Sequence, residues 1–352
     1  MHSFPHKYVR PRAAQLQCEG LATASEARVF KQMTLTDVEA FDEHAAADII
    51  GREVAVYFIE CALLREFLAP HVRLVERPED ADFILATNCW SDVAGAVARQ
   101  SEARRAGKPL VWWTTEDPNH FETFLPQARE ADFVFTTDDA CVERYRALLG
   151  HDRAYWLPWA CAPEIHRPLP LQEDARAFVL SANWYEFEAR RWAVSVLVDP
   201  LVERGYGISL YCLPGWMWPA RYAHYWRGED ARLLSYMSSV EQYTTGRVAL
   251  GLNNQRSGMD GLGKTYMTSM RTFEVLGCGK PFLASHSDAY ERLGFVHGEH
   301  MVWVSDPAET LHWAERLLGE DGARIARAGR EFVLAHHTYA HRLRRIVDVV
   351  LV

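Results

Sequence analysis

Short apolar runs alternate with longer amphipathic stretches along the chain from about residue 51 onward. In the first half, runs of β-branched and aromatic residues predict six strands, and the stretches between them have helical spacing. The predicted strands are Val54–Ile59, Val72–Val75, Phe83–Ala86, Leu110–Trp113, Phe133–Thr136 and Ala154–Leu157. The predicted helices include Val93–Ala106 and Ala140–Leu149. Strands that alternate with helices predict a parallel sheet with helices on its faces.

A second series of the same kind follows residues 163–174, a stretch with three prolines that is typical of a linker. Its predicted strands are Phe178–Leu180, Ile208–Cys212, Val248–Leu252, Pro281–Ala284 and Met301–Val304. Its predicted helices are Glu188–Glu203, Ala231–Tyr243, Thr265–Leu276 and Ala308–Leu318, and the last 30 residues are also helical. The pattern therefore predicts an α/β fold made of two Rossmann-like halves.

The expected division gives residues 51–168 to the first domain and residues 169–330 to the second. Residues 331–352 are expected to form a helix that packs back on the first domain, and residues 1–50 to form an arm with one or two helices. Two domains also suit the length of 352 residues, which is long for a single compact core.

Composition narrows the class of protein. The chain is 49% apolar and 24% charged, which is typical of a globular protein. A net charge of -9 argues against nucleic acid as a partner. The seven cysteines are odd in number and form no C-x-x-C pair, so neither a disulfide framework nor a zinc knuckle is expected. No signal-peptide pattern and no run of about 18 apolar residues occurs, which predicts a cytoplasmic protein without a transmembrane segment.

The stretch from Val248 to Ser285 is the most informative part of the sequence. It predicts a strand, a glycine-rich loop, a helix, a turn and a second strand. Arg271 and Glu274, three residues apart, lie on one face of that helix. An Arg–Glu pair at this spacing is by itself most often a surface salt bridge, but here it is followed by Gly-Cys-Gly-Lys-Pro, which ends the helix tightly before the next strand. The Arg–Glu pair and this helix end belong to one longer string, whose resemblance to a known family favours a functional site.

The string Met-Arg-Thr-Phe-Glu-Val-Leu-Gly-Cys-Gly-Lys-Pro, residues 270–281, resembles the donor-site signature of GT-B glycosyltransferases of the group 1 type. Among these enzymes it is most similar to the CgeB-like (spore maturation protein) branch. Two other segments are similar to the same branch: residues 135–166, with Phe-Thr-Thr-Asp-Asp and Ala-Pro-Glu-Ile-His, and residues 326–342 in the tail. The resemblance spans roughly residues 110 to 345.

The resemblance implies a glycosyltransferase of the hexosyltransferase type, retaining and without a tightly held metal. Its donor would be a UDP-, GDP- or dTDP-linked sugar, and its acceptor a glycan, a protein or a small molecule. Glu274 would accept hydrogen bonds from both ribose hydroxyls, as a carboxylate can. The helix start at Ser269, Met270 and Thr272 would face the diphosphate. Asp138 and Asp139 are accordingly not expected to form a metal site.

A leaving nucleoside diphosphate also needs cationic partners. The candidates are Arg190, Arg191, Arg271 and Lys264, and Arg190 is in addition a candidate for stabilising the leaving group during catalysis. Asn183, Trp184 and Asn254 follow predicted strands and complete the expected donor site. Group 1 enzymes often carry an R-x4-K pair for the diphosphate. Neither Arg190 nor Arg191 has a lysine at that spacing, so the residues that hold the phosphates stay open.

The resemblance places the acceptor on the first half. Glu116 and Asp117 follow the strand Leu110–Trp113 and are expected to face the cleft. If the reaction inverts the sugar, one of the two carboxylates is the natural general base for the acceptor hydroxyl. If it retains configuration, positioning and electrostatic stabilisation suffice. A turn at Pro118 followed by a helix cap explains the same residues without a catalytic role.

Two alternatives stay open. Gly258–Thr265 satisfies G-x-x-x-x-G-K-T, the phosphate loop of NTPases and kinases. Against this reading, the loop begins some five residues after its strand, and fewer than 90 residues follow Thr265. The second alternative is a GT-B domain that binds without catalysis. His337 and His341 lie one helical turn apart, but with no third ligand in the pattern a metal site is not expected there.

Overall fold

The first half of the described chain forms one sheet of six parallel strands. The computed structural model describes residues 49–59, 62–212, 218–229 and 236–351, so the predicted arm over residues 1–50 lies almost entirely outside it. The strands are β1 (Ala55–Ile59), β2 (Arg73–Leu74), β3 (Phe83–Thr87), β4 (Leu110–Thr114), β5 (Phe133–Thr136) and β6 (Ala154–Trp156), in the order β2-β1-β3-β4-β5-β6. Strands β3 and β4 are buried at every position, as strands covered on both faces must be.

Four helices connect these strands. They are α1 (Ala62–Leu68), α2 (Val93–Ala103), α3 (Phe121–Ala128) and α4 (Val142–Leu149). Helix α4 begins two residues later than predicted because residues 139–141 form a 3-10 turn, which is opened by Asp138. The Asp138 carboxylate accepts a hydrogen bond from the backbone N–H of Ala140 at 3.0 Å. This cap fixes Asp138 at the carboxyl end of β5.

The second half forms another six-stranded parallel sheet. Its strands are β7 (Arg176–Ser181), β8 (Ile208–Cys212), β9 (Trp226–Glu229), β10 (Gly246–Gly251), β11 (Phe282–Ser285) and β12 (Val302–Val304), in the order β12-β11-β10-β7-β8-β9. Strand β9 was not predicted. Its sequence, Trp-Arg-Gly-Glu, has a single apolar residue, and it lies at the edge of the sheet, where little apolar surface is required.

The helices of the second half are α5 (Glu188–Leu197), α6 (Asp199–Glu203), α7 (Tyr236–Tyr243), α8 (Met270–Gly277), α9 (Ala289–Arg292), α10 (Pro307–Leu318), α11 (Asp321–His336) and α12 (Tyr339–Val350). The single helix predicted over Glu188–Glu203 is divided at Val198, because Pro200 has no N–H to continue it and instead opens α6. Residues 231–235 of the helix predicted over Ala231–Tyr243 lie outside the described chain.

The C-terminal helix crosses back to the first half, as expected. Helix α12 contacts α1, and Leu343 and Ile346 share one core with Leu64 and Phe67. The buried guanidinium of Arg342 donates to the backbone oxygens of residues 158 and 159, at 2.9 Å in each case. The same two halves are therefore joined twice, by the linker and by α12. No helix in the part of the chain that the structure describes is long and apolar enough to cross a membrane.

The carboxyl edges of the two sheets face each other across a cleft. Asp138, at the end of β5, accepts hydrogen bonds from Thr265 and Tyr266, which lie between β10 and α8. These bonds bring the strand ends of one half against those of the other. The edge at which open parallel sheets bind their ligands is therefore shared between the halves.

Candidate functional site

Helix α8 begins at Met270, not at the predicted Thr265. Ser269 caps it, with its hydroxyl accepting from the backbone N–H of Arg271 at 3.2 Å. The residues before Ser269 are not helical, because the N–H of Tyr266 and the hydroxyl of Thr265 donate to Asp138 instead. Since α8 follows β10, Ser269 and Met270 lie at the cleft edge of the sheet. The side chain of Thr272 is fully buried, 3.2 Å from the Thr268 hydroxyl, so it packs inside and does not face a ligand as predicted.

Arg271 and Glu274 form an ion pair that is partly covered by helix α7. The Arg271 guanidinium donates to Glu274 Oε2 at 2.6 Å, and the Tyr243 hydroxyl donates to the same oxygen at 3.0 Å. Glu274 has no exposed surface, whereas the Arg271 side chain is 30% exposed. Burial alone would raise the pKa of Glu274, but the charge of Arg271 and these hydrogen bonds hold it below its usual range. Glu274 is therefore a buried, charged carboxylate.

One oxygen of the Glu274 carboxylate accepts no hydrogen bond from the described residues, which bears on the predicted ribose contact. Its Oε1 is buried and has no hydrogen-bond partner among the described residues. A carboxylate oxygen left without a donor in a buried place costs free energy, so this oxygen can still accept a bond. A ribose can contact Oε1 only if this oxygen becomes exposed. In the structure Arg271 is the exposed member of the pair, and Glu274 lies beneath the surface. The ribose contact of Glu274 thus stays a prediction.

The end of α8 packs closely against the linker between the halves. A Cβ atom on Gly277 would lie 2.3 Å from Cys161 Sγ and 3.1 Å from the Cβ of His166. His166 Nδ1 accepts from the backbone N–H of Ala162, and burial lowers the pKa of His166 to about 4. Gly277 was predicted only as part of the helix stop. The structure adds a second reason for glycine, which is the close approach of helix and linker.

Arg190 is a buried cation without a carboxylate partner among the described residues. It lies in the first turn of α5 with 3% of its surface exposed. One of its nitrogens, Nη2, donates to the side-chain oxygen of Asn254 at the end of β10. Its Nε and Nη1 are buried and have no hydrogen-bond partner in the described structure, and the guanidinium lies 5.4 Å from the centre of the Tyr185 ring. Burial lowers the pKa of Arg190 to about 10, which still leaves it charged at neutral pH. The structure thus brings together Arg190 and Asn254, both predicted for the donor site.

Arg256 is a second cation at this edge that the sequence did not single out. Its guanidinium lies 3.3 Å from the centre of the Trp192 ring, on the same helix as Arg190. Its Nη1 is buried without a partner among the described residues, and burial lowers its pKa. Two unsatisfied guanidinium groups beside one strand end suit a group with several anionic oxygens. The signal for Arg256 in the sequence was its position in a polar segment, five residues beyond the last residue of β10.

The other predicted donor residues lie around this edge with different partners. Asn183 is partly buried, with its amide 3.4 Å from the Tyr185 hydroxyl. Trp184 packs its ring on Trp218, 5.3 Å between ring centres, so it supports the core of the second half. Arg191 is 54% exposed and binds Glu186. It differs from Arg190 because adjacent residues on a helix point in different directions. Of the two arginines predicted as candidates for the phosphates, Arg190 is thus the one that lies beside Asn254, and Arg191 faces away from it.

The loop Gly258–Thr265 does not have the geometry of a phosphate loop. Both oxygens of the Asp260 carboxylate accept from the backbone N–H groups of Glu188 and Ala189, at 2.6 and 2.9 Å, which caps α5. Lys264 is exposed, 5.2 Å from the Tyr266 ring. No helix follows Thr265 directly, although a phosphate loop requires one to present its N–H groups. The structural features of the NTPase alternative are therefore missing from this loop.

The two candidate carboxylates on the first half differ in their surroundings. Asp117 is 1% exposed, and it accepts from the hydroxyls of Thr136 at 2.6 Å and Tyr145 at 3.2 Å. Burial raises the pKa of Asp117 to about 7. Asp117 therefore points into the domain and not into the cleft as predicted. Glu116 is partly exposed and accepts from the Trp90 indole N–H at 3.0 Å, so it is the carboxylate that the cleft can reach.

Within the described residues, no group of three or more His, Cys, Asp or Glu side chains is arranged to hold a metal ion. The carboxylate of Asp138 is occupied by protein donors, and Asp139 forms an ion pair with Arg292. His337 contacts the Leu293 carbonyl and the Arg342 guanidinium, at 2.9 Å each. Each of these groups is thus used in packing or in joining the halves.

Comparison with known proteins gives the fold a family context. Residues 190–348 match the family model described as glycosyl transferase-like. No curated protein matches the chain significantly. The chain is similar to the structure of Anabaena Alr3699/HepE in complex with UDP-glucose, with a TM-score of 0.55 at 12% identity over 90% of this chain and 98% of that chain.

Two further solved structures are similar. An alpha-glucosyltransferase in complex with UDP and a 13-mer DNA has a TM-score of 0.56 at 8% identity, over 85% of this chain and 99% of that chain. TarM has a TM-score of 0.53 at 9% identity, over 83% of this chain and 58% of that chain. At such identities the likeness shows the fold, which is GT-B: two Rossmann-like domains around a cleft.

Proposed function

We propose that this chain is a glycosyltransferase that moves a sugar from a nucleoside-diphosphate sugar to an acceptor. The glycosyl transferase-like match over residues 190–348 supports this general class, and it begins at Arg190 itself. The observation that carries the proposal is the buried guanidinium of Arg190, which has two nitrogens without partners in the described structure. A buried cation is stable only when an anion or strong acceptors satisfy it. The diphosphate of a nucleotide sugar is such an anion.

The remaining contacts of the donor follow from the second half. Arg256 supplies another guanidinium for the phosphates, and the helix start at Ser269 and Met270 offers N–H groups with a favourable dipole. Arg271, the exposed member of the pair with Glu274, would face the nucleotide first. Glu274 would bind the ribose through Oε1 once it is uncovered. UDP is the first nucleotide to test, because HepE and the alpha-glucosyltransferase were solved with it.

The proposed chemistry is retaining, hexosyl transfer without a tightly bound metal. Arg190 would stabilise the negative charge that develops on the leaving diphosphate, a role that a fixed cation fills in many transferases. The inward direction of Asp117 leaves Glu116 as the remaining candidate for a general base on the first half. A retaining reaction needs no such base, and positioning of the two substrates is then the main contribution of the first half. The acceptor would be a glycan, a protein or a small molecule. The similarity to the CgeB-like branch is part of this proposal.

A thermal-shift panel tests the proposal. The full chain is heated with UDP-, GDP- and dTDP-sugars in EDTA, and with ATP plus Mg²⁺. A ligand at 100 times its Kd stabilises the folded state by about 2.7 kcal/mol, which is readily seen. Stabilisation by a nucleotide sugar in EDTA supports the proposal. Stabilisation by ATP and Mg²⁺ alone would instead favour the NTPase alternative, and tight binding without transfer to any acceptor would favour a binding module.

A further inference from the structure

Asp138 connects the two halves through buried hydrogen bonds. Its side chain has no exposed surface. One carboxylate oxygen accepts from the Thr265 hydroxyl at 2.7 Å, and the other accepts from the Tyr266 backbone N–H at 2.7 Å. The partners are 127 and 128 residues away along the chain and belong to the other half. A charged acceptor with donors at these distances forms strong hydrogen bonds.

The segment held by Asp138 leads directly into helix α8. From Tyr266 the chain runs to Met267, whose carbonyl accepts from the Ser287 hydroxyl at 3.1 Å, and then to the cap Ser269. Residues 265–269 are thus fixed at one end by the first half and at the other by the second sheet. Movement of Thr265 and Tyr266 away from Asp138 would change the position of the α8 start relative to the first half.

A second contact between the halves lies beside the first but is of a different kind. Arg292 pairs with Asp139, and its guanidinium lies 4.4 Å from the centre of the Tyr266 ring. The side chains of this pair are 47% and 21% exposed. Exposed ion pairs stabilise weakly because water and salt screen them. The buried contacts of Asp138 are therefore expected to dominate, and Asp139 provides a matched control at the next position.

We infer that Asp138 is a positioning residue, which holds the start of α8 against the first half so that a donor bound in the second half faces the acceptor side. This inference rests on the proposed function for its catalytic meaning, but the contact itself is independent of any ligand. A sugar can be transferred only when donor and acceptor are held in reach of each other. The hydrogen bonds from Thr265 and Tyr266 to Asp138 connect the strand ends of the first half directly to the segment that leads into α8.

Hydrogen exchange and small-angle scattering on the full chain test this inference. In Asp138→Ala the Tyr266 amide loses its acceptor, so its exchange rate should rise at least about tenfold, as for local opening. The radius of gyration should rise by about 1 Å, in the direction of domain opening. Asp139→Ala should change the exchange rate by less than about twofold, as expected for an exposed pair. Equal exchange of Tyr266 in the wild type and Asp138→Ala, or equal changes in both variants, would overturn the inference.

Asp138→Ala also removes the cap on residues 139–141, so a variant on the other side of the contact is needed to separate the two effects. Thr265→Val removes one donor and leaves that cap intact. It should raise the exchange of residues 265–267 by about threefold, and combining it with Asp138→Ala should add nothing, because both changes break one interaction. No change in Thr265→Val would contradict the inference. UDP affinity, measured on the same samples, should stay within threefold. If the wild type does not bind UDP-glucose, the proposed function fails while these results still decide the role of Asp138.

Discussion

Replacing Arg190 by methionine should make the protein more stable and its nucleotide binding weaker. Methionine keeps the apolar stem and removes the charge. Burial lowers the pKa of Arg190 to about 10, and at 1.36 kcal/mol per pKa unit the difference from an exposed guanidinium corresponds to about 3 kcal/mol of unfavourable free energy for holding the charge inside. Asn254 loses its donor, which costs about 1 kcal/mol. The net expectation is a gain of about 2 kcal/mol in the free energy of unfolding.

Binding should change in the opposite direction. A hydrogen bond to a charged group contributes about 1.5 to 3 kcal/mol, so the loss of Arg190 should raise the Kd for UDP about 10- to 100-fold. Urea unfolding measures the first quantity and isothermal titration calorimetry with UDP the second. Arg191→Met is the matched control, because Arg191 is 54% exposed and pairs only locally with Glu186. We expect it to change the free energy of unfolding by less than about 0.5 kcal/mol.

The directions in which Arg190→Met changes the free energy of unfolding and the Kd for UDP distinguish a binding residue from a structural one. A structural Arg190 would stabilise the fold, and its loss would lower the free energy of unfolding while leaving UDP affinity unchanged. That result in Arg190→Met, with Arg191→Met unaffected, would refute the reasoning. A functional Arg190 is kept at a cost to stability, which is common at ligand sites.

Three other changes have defined outcomes. Glu274→Gln leaves Arg271 without its counter-charge and should lower the free energy of unfolding by about 2 to 3 kcal/mol in urea, whereas unchanged stability would contradict the buried pair. Gly277→Ala should lower the free energy of unfolding by about 1 to 3 kcal/mol, because the added methyl group overlaps Cys161 Sγ. Adding Cys161→Ala to this variant should recover part of the loss, and an equal loss in the single and the double variant would exclude the clash. Asp117 has a pKa of about 7 against an ordinary 3.8, so its protonated carboxyl stabilises the fold fully below pH 4, and about 4 kcal/mol of this stabilisation is lost as the pH rises through 7. In Asp117→Asn the free energy of unfolding should fall less over this range. Parallel curves of this free energy against pH for the wild type and the variant would contradict the assignment.

The periodicity of the sequence was sufficient to predict every strand of the two described sheets except the edge strand β9. Apolar runs such as Phe83–Ala86 and Phe133–Thr136 became β3 and β5, since buried parallel strands need apolar residues on both faces. The helix predicted over Ala308–Leu318 became α10, where Asp306 caps the N–H groups of Ala308 and Glu309. These elements are decided by neighbouring residues, so local patterns are enough to find them.

The start of α8 could not be found in this way. Residues 265–269 are predicted as part of the helix because Met267 shares a face with Met270 and Glu274. Their conformation is decided by Asp138, which is 127 residues from Thr265 and belongs to the other half. A hydrogen-bond partner at that distance leaves no trace in local periodicity, and tertiary contacts override helix propensity.

The same limit applies to the direction of side chains at the site. Asn254 and Asp117 follow β10 and β4 and therefore lie at the edges of their sheets, and Arg190 lies in the first turn of α5. Whether a side chain then faces the cleft depends on its neighbours: the Thr136 and Tyr145 hydroxyls turn Asp117 inward, and the first turn of α5 turns Arg190 toward Asn254. Arg256 was missed because its burial depends on the Trp192 ring from another element.

The central claim is that the second half holds a nucleoside diphosphate by the buried guanidinium of Arg190. A crystal structure of the full chain soaked with UDP tests it most directly. We expect a phosphate oxygen within about 3 Å of Arg190 Nε or Nη1, the two nitrogens without hydrogen-bond partners in the described structure. A phosphate seated instead in the loop Gly258–Thr265 beside Lys264, with Arg190 untouched, would contradict it.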